Sequence, residues 1–265
     1  MKNFAKVACA FYGIGVAGMG FQQFLYADFR PVVLPPWPLW MHAAVPAYIA
    51  GAGLIAAGAC IVLMKNIQAA SLLLGLFFLA MFLIFHVPYL LFISENSPRH
   101  LGLWTNPLKE LALSGGAFII AGLFKEETGS SRKRDFFSLP EKLIPTGRIF
   151  FSITMIAFGI DHFLYTDFVA TLVPSWIPGH IFWTYFAAVA LIGSGVAIIL
   201  KIKLELVGQL LAWMLFLWLI MLHIPRAIAA PASDNGNEVT SVFQALAFSG
   251  IALAIACTAG KQRDR

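Results

Sequence analysis

Apolar residues run along this chain in long, nearly unbroken stretches. Short clusters of Pro, Gly, Trp and charged residues interrupt them at intervals. Continuous apolar runs of about 20 residues predict membrane-crossing helices, whereas a membrane β-barrel would show strict alternation. Eight such runs are predicted, at about 5–25, 42–64, 67–90, 105–124, 146–166, 180–200, 203–225 and 239–259. The fold class expected is an all-α integral membrane protein with eight transmembrane helices.

The pattern also repeats. Gln23-Phe-Leu-Tyr-Ala-Asp-Phe29 returns as His162-Phe-Leu-Tyr-Thr-Asp-Phe168, 139 residues later. His86-Val-Pro88 returns as His223-Ile-Pro225, and Leu111-Ala-Leu-Ser-Gly115 as Leu246-Ala-Phe-Ser-Gly250. So long a period predicts a duplicated domain rather than a short solenoid repeat. The expected division is a first four-helix unit at 1–124, a charged cytoplasmic linker at 125–145 and a second four-helix unit at 146–265. An even number of spans per unit gives both the same orientation. Two tandem four-helix bundles related by a pseudo-two-fold axis along the membrane normal are predicted.

Composition agrees with this reading: 60% of residues are hydrophobic and 12% charged, a balance that no water-soluble chain of 265 residues could bury. The basic residues set the orientation. Arg30, Arg99, Lys109 and Arg226 fall on one side, and the other 14 of the 18 Lys and Arg on the opposite side. Positive charge marks the cytoplasmic side, so a multi-pass protein of the inner (plasma) membrane with both termini cytoplasmic is expected. Membrane topology accounts for the net charge of +5, and no nucleic-acid partner is implied; the lipid bilayer is the partner. The N-terminal Lys-then-apolar stretch resembles a signal peptide, but its length and its counterpart in the second half predict an uncleaved first helix. Cys9, Cys60 and Cys257 form no CxxC motif and are read as core residues.

Polar groups gather toward the opposite, outer side: His42, His86, His100, His162, His180 and His223, with Asp28, Asp161, Asp167, Glu110 and Arg226. Polar groups within a bilayer are costly and face protein or a water-filled cavity, so a polar pocket, or one per half, is predicted there. Asp161 and Tyr165 are four residues apart and should share a helical face, with His162 on its flank. Asp161 and His162 are the candidate proton-exchanging pair. Tyr165, His180, His223 and Arg226, with His42 and His86 in the first half, are the candidate ligand-binding residues. Where the second half has Asp161-His162, the first has Gln22-Gln23, and an amide does not exchange protons near neutral pH. The second half is therefore the better equipped. Pro225 should kink or stop the seventh span beside His223. His100 reads as a solvated loop residue. The plainer reading of the outer Trp, His and Tyr is headgroup anchoring.

No HxxxH or HExxH spacing supports a metal site, and none is assigned. Nothing in the spacing fixes a haem between histidines either. Gly13, Ala17 and Gly20 on one face of the first span, and Gly51, Gly53, Ala57, Gly58, Gly193 and Gly195 elsewhere, read as close helix packing. The GxGxxG string starting at Gly13 lies inside a span with no preceding strand, so a dinucleotide site is excluded.

Phe158-Gly-Ile-Asp-His-Phe-Leu164, the Pro-rich break to Pro178-Gly179 and the run Tyr185 to Leu200 resemble the DoxX-like family. The resemblance implies two tandem four-helix membrane units. It also implies a membrane subunit of a redox system, since the family is tied by name to the small subunit of a thiosulfate:quinone oxidoreductase. The cofactor is left unassigned, with a quinone or similar small molecule compatible with the resemblance and haem disfavoured, and a soluble or peripheral protein is compatible as redox partner. The residues themselves leave two alternatives open: a carrier for a small or lipidic solute, and a non-catalytic membrane scaffold.

Overall fold

The computed structural model describes residues 2–96, 99–124 and 140–263, and among these it is helical with no strand. In chain order the helices are α1 (Lys2–Tyr26), α2 (Ala44–Val62), α3 (Ile67–Met81), α4 (Thr105–Leu123) and α5 (Gly147–Leu164). The short α6 (Thr166–Leu172) comes next, then α7 (His180–Ile199), α8 (Leu204–Trp218), the short α9 (Ile224–Ala229) and α10 (Asn237–Arg263). Seven helical segments are long and apolar enough to cross a membrane. The chain is thus built as a multi-pass membrane protein. Its outward faces carry Ile49, Phe92, Phe182 and Trp213, each more than half exposed, as suits a surface meeting lipid rather than water.

Helix α4 is the exception by composition. Lys109 and Glu110 lower its hydropathy, yet it is buried along nearly its whole length. A helix screened from lipid by other helices has no need to be apolar all round. Its companion at the centre is α10, of whose apolar window 72% is buried, against 28–44% for the other six.

The packing is a figure of two rings sharing that central pair. α1 packs on α2 and α10, α3 on α4, α5 on α4 and α7, and α8 on α10. α1 therefore runs along the last helix of the other half rather than along α4. Small residues permit these contacts. A Cβ at Gly13 would lie 2.7 Å from the Gly58 carbonyl oxygen, and one at Gly20 as close to that of Gly51. Gly115 meets Gly147 and Phe151, while Gly250 meets Ala8 and Tyr12. Ser114 Oγ donates to the Gly75 carbonyl across α3–α4 (2.8 Å), and Ser249 Oγ to that of Ala212 across α8–α10 (2.9 Å). The repeated Leu-Ala-x-Ser-Gly motif is thus a helix-contact device: the serine bonds one neighbour's backbone, and the glycine admits another. Gly53 and Gly193, expected in the same role, face open space.

Three boundaries differ from expectation. Pro225 does not stop its helix. A π-turn over Leu219–His223 leads into α9, with Pro225 in its first turn, and the helical segment runs to Ala229. The wider π-turn shifts the hydrogen-bond ladder, so the missing proline N–H falls where it is not needed. His86 closes the matching π-turn, Phe82–His86, two residues before Pro88. Tyr165 is the hinge between α5 and α6 rather than part of α5, although its N–H still bonds Asp161 O (2.8 Å). Residues 125–139 of the expected linker lie outside the described residues, and the helical segment already begins at Pro140.

Gly13→Ala should lower stability by about 1–3 kcal/mol through overpacking. Gly53→Ala, the same change on an open face, should be neutral or slightly stabilising. Thermal unfolding of the two purified variants in detergent checks this; equal midpoints would refute the packing account.

Candidate functional site

The six histidines all lie at one end of the bundle, but they divide into separate groups. The segment after α1 explains the first division. Phe29, Val32, Val33 and Leu34 are buried beside a wholly buried Arg30, so this stretch folds inward as a plug. Arg30 O accepts the N–H groups of Val33 and Leu34 in a tight turn. The Arg30 guanidinium sits 3.9 Å over the Tyr26 ring and donates to Asn235 O (2.5 Å), tying the plug to the loop before α10. Burial pulls this guanidinium below its ordinary pKa, while the Tyr26 and Asp28 oxygens oppose the shift. Gln23 Oε1 accepts the Arg30 N–H (3.0 Å), and Gln22 Nε2 donates to Gly236 O (3.4 Å).

Beneath the plug lies His86. Its Nε2 is 3.2 Å from Val32 O and 3.1 Å from Glu110 Oε2. The N–H points along the carbonyl, so neither oxygen of the wholly buried Glu110 receives a directed hydrogen bond. Both atoms of the Gln244 amide, Gln22 Oε1 and Gln23 Nε2 are likewise buried and unpaired. Tyr12 touches Gly116, and Gly116 packs on Ile251 of α10. Counting along the helices from that contact, Glu110 and Gln244 lie about 9–11 Å toward the histidine end, in one layer. The backbone that satisfies His86 is Val32 of the plug, not carbonyls freed by Pro88.

His42 belongs to the loop above. Its Nδ1 meets Asp28 Oδ1 and its Nε2 meets Pro35 O, each at 2.8 Å. A carbonyl only accepts and a carboxylate only accepts, so full pairing needs protons on both ring nitrogens. With both nitrogens engaged, His42 braces the loop and has no nitrogen free for a ligand.

The second half is arranged differently. The stretch equivalent to the plug is α6, which buries no residue and leaves Phe168 66% exposed. Among the described residues, nothing of this half's own sequence folds in over the ring formed by α4, α5, α7, α8 and α10. Around that mouth, Tyr165 OH accepts Gly102 N–H (3.2 Å) and lies 3.2 Å from His100 Nδ1, with the two rings stacked. Asp161, with buried and unpaired Oδ1, is an electrostatic neighbour of His100. Asp161 and Tyr165 thus share a neighbour in His100, which was expected in solvent. His162 Nδ1–H donates to Phe158 O of its own helix (2.7 Å), and its ring stacks on Trp218. His180 opens α7 after Gly179, whose φ of +75° favours glycine. His223 closes the Leu219–His223 π-turn with Nδ1 buried and unpaired. Arg226 forms a bidentate pair with Glu238, Nε to Oε2 at 3.0 Å and Nη2 to Oε1.

No hydrogen bond or ion pair joins Asp161, His162, His180 and His223 to one another among the described residues. They lie toward the same end of the second half's helices without meeting at one point. Sequence pattern alone does not mark Arg30, Glu110, Gln244 and His100 as site residues. Only the Lys109-Glu110 pair, which the second half replaces with Gln244-Ala245, gave a signal. No group of three or more metal-binding side chains occurs among the described residues. A shallow groove of about 440 Å³ lies at the far, lysine-rich end, lined by Lys203, Glu205 and Gln209, away from every histidine. No protein-family model, curated protein or solved structure matches the chain.

Arg30→Met removes the donor to Asn235 O and the guanidinium over the Tyr26 ring. Stability should fall by about 2–3 kcal/mol, read as a lower thermal midpoint in detergent. An unchanged midpoint would show that the plug is not held by this contact.

Proposed function

We propose that this chain is a DoxX-like inner-membrane protein, a membrane subunit of a redox system that receives a quinone or similar head group at the open mouth of its second half. One observation carries the reading: the first half seals its histidine layer with Arg30 and Val32, whereas the second leaves its mouth uncovered and its Asp161 and His223 with unpaired buried atoms. Unpaired polar atoms inside an apolar bundle favour a polar ligand. In this reading the head-group oxygens bond to Asp161, His162 Nε2 and Tyr165. Asp161 and His162 exchange protons with the outer side, and His180, His223 and Arg226 border the site. The electrons come from a soluble or peripheral partner.

Eight spans, with α4 as the fourth, and two like-oriented units of 1–124 and 146–265 belong to the same proposal. The recurrence of the α1–α10 contact as α5–α4, and of the Ser114 bond as that of Ser249, supports the pseudo-two-fold. The basic-residue distribution supports cytoplasmic termini.

Binding of a short-chain quinone to purified protein tests the site. Asp161→Asn/His162→Gln, which copies the first half's amides, should weaken binding at least about tenfold. Glu110→Gln, beneath the plug, should leave it within about twofold. Undiminished binding in the double variant would reject the assignment.

A further inference from the structure

We infer that the Lys109–His223–Arg226–Glu238 cluster is a seat for the phosphate of an anionic phospholipid. His86 and His223 hold equivalent places, each closing a π-turn two residues before a proline. In the first half a carbonyl oxygen, Val32 O, comes in to meet the imidazole. In the second half no backbone group bonds His223 among the described residues, and its Nδ1 is buried and unpaired. At His86 the bonded atom is Nε2 and at His223 the unpaired one is Nδ1; an imidazole nitrogen donates or accepts, so the charge around it decides the partner.

The surroundings define its charge. Lys109 of α4, Arg226 of α9 and Glu238 of α10 are all electrostatic neighbours of His223. Glu238 occupies Arg226 through the bidentate pair. That leaves Lys109 with no hydrogen bond or ion pair among the described residues. Two cations against one carboxylate leave the cluster with one unit of positive charge, which a singly charged oxyanion balances. The flanking residues favour a lipid over a free ion: Ile224 and Ile228, on the same short helix as Arg226, are exposed, Ile228 by 75%. A phosphodiester at His223 and Lys109 places acyl chains against those side chains.

The test uses full-length protein in phosphatidylcholine nanodiscs, with phosphatidylglycerol or inorganic phosphate added. Retained lipid is counted by native mass spectrometry and the thermal midpoint is followed. Phosphatidylglycerol should bind saturably and raise the midpoint. Lys109→Met should weaken it about tenfold, and Glu238→Gln, which releases Arg226, should strengthen it several-fold. A gain in Glu238→Gln cannot come from misfolding, so that variant decides the matter if Lys109→Met folds poorly. Equal affinity in the wild type and Glu238→Gln would overturn the assignment. Saturation by inorganic phosphate with no further effect of the lipid would overturn it in favour of a free oxyanion. His223 and Arg226 also border the proposed quinone site, so lipid binding is measured without quinone and quinone binding without phosphatidylglycerol.

Discussion

Close backbone approach at the central helix pair is the constraint that governs the whole bundle. Gly115 admits α5 to α4, and Gly250 admits α1 to α10, while Ser114 and Ser249, each one residue earlier, bond the backbones of α3 and α8. In lipid no hydrophobic gain draws helices together, so such contacts must supply the cohesion. α1 is held by α10 and α5 by α4, so these outer helices close upon the central pair. Both rings depend on α4 and α10. That dependence also explains how Lys109 and Glu110 are tolerated: the helix that carries them is enclosed by protein.

Within this shared frame the two halves diverge immediately beyond the repeated Phe-Leu-Tyr-x-Asp-Phe segment. Arg30 and Pro31 turn the first copy inward, where a guanidinium, a tyrosine ring and a carbonyl from the loop before α10 receive it. Val169 and Ala170 continue the second copy as an exposed helix. The same scaffold thus holds one covered layer, rich in amides with a single carboxyl group, and one uncovered mouth bordered by Asp161, Tyr165 and His100.

Much of the scaffold was legible in the sequence. Long apolar runs, the repeat and the glycine face of α1 arise from periodicity and residue size, which are local properties. The clustering of imidazoles at one end was legible for the same reason. The plug was not, because Arg30 beside Pro31 reads as a solvent-facing charge, and only tertiary contacts with Tyr26 and Asn235 make its burial favourable. Pro225 misled because a proline predicts a break only where the α-helical ladder is intact, and the π-turn before it had already altered that ladder. His100 could not be paired with Tyr165, 65 residues away, from spacing alone.

The π-turns ahead of Pro88 and Pro225 have a geometric consequence. Each accommodates one residue more than an α-helical turn, which swings everything beyond it by about 100° around the axis. The ring closing that turn is aimed by the extra residue as much as by its own rotamer. Deleting a single apolar residue from either five-residue stretch would restore ordinary winding and rotate the imidazole off its present heading. Helix phase, set by an insertion invisible to any count of hydrophobic positions, fixes where the bundle directs its most reactive side chains.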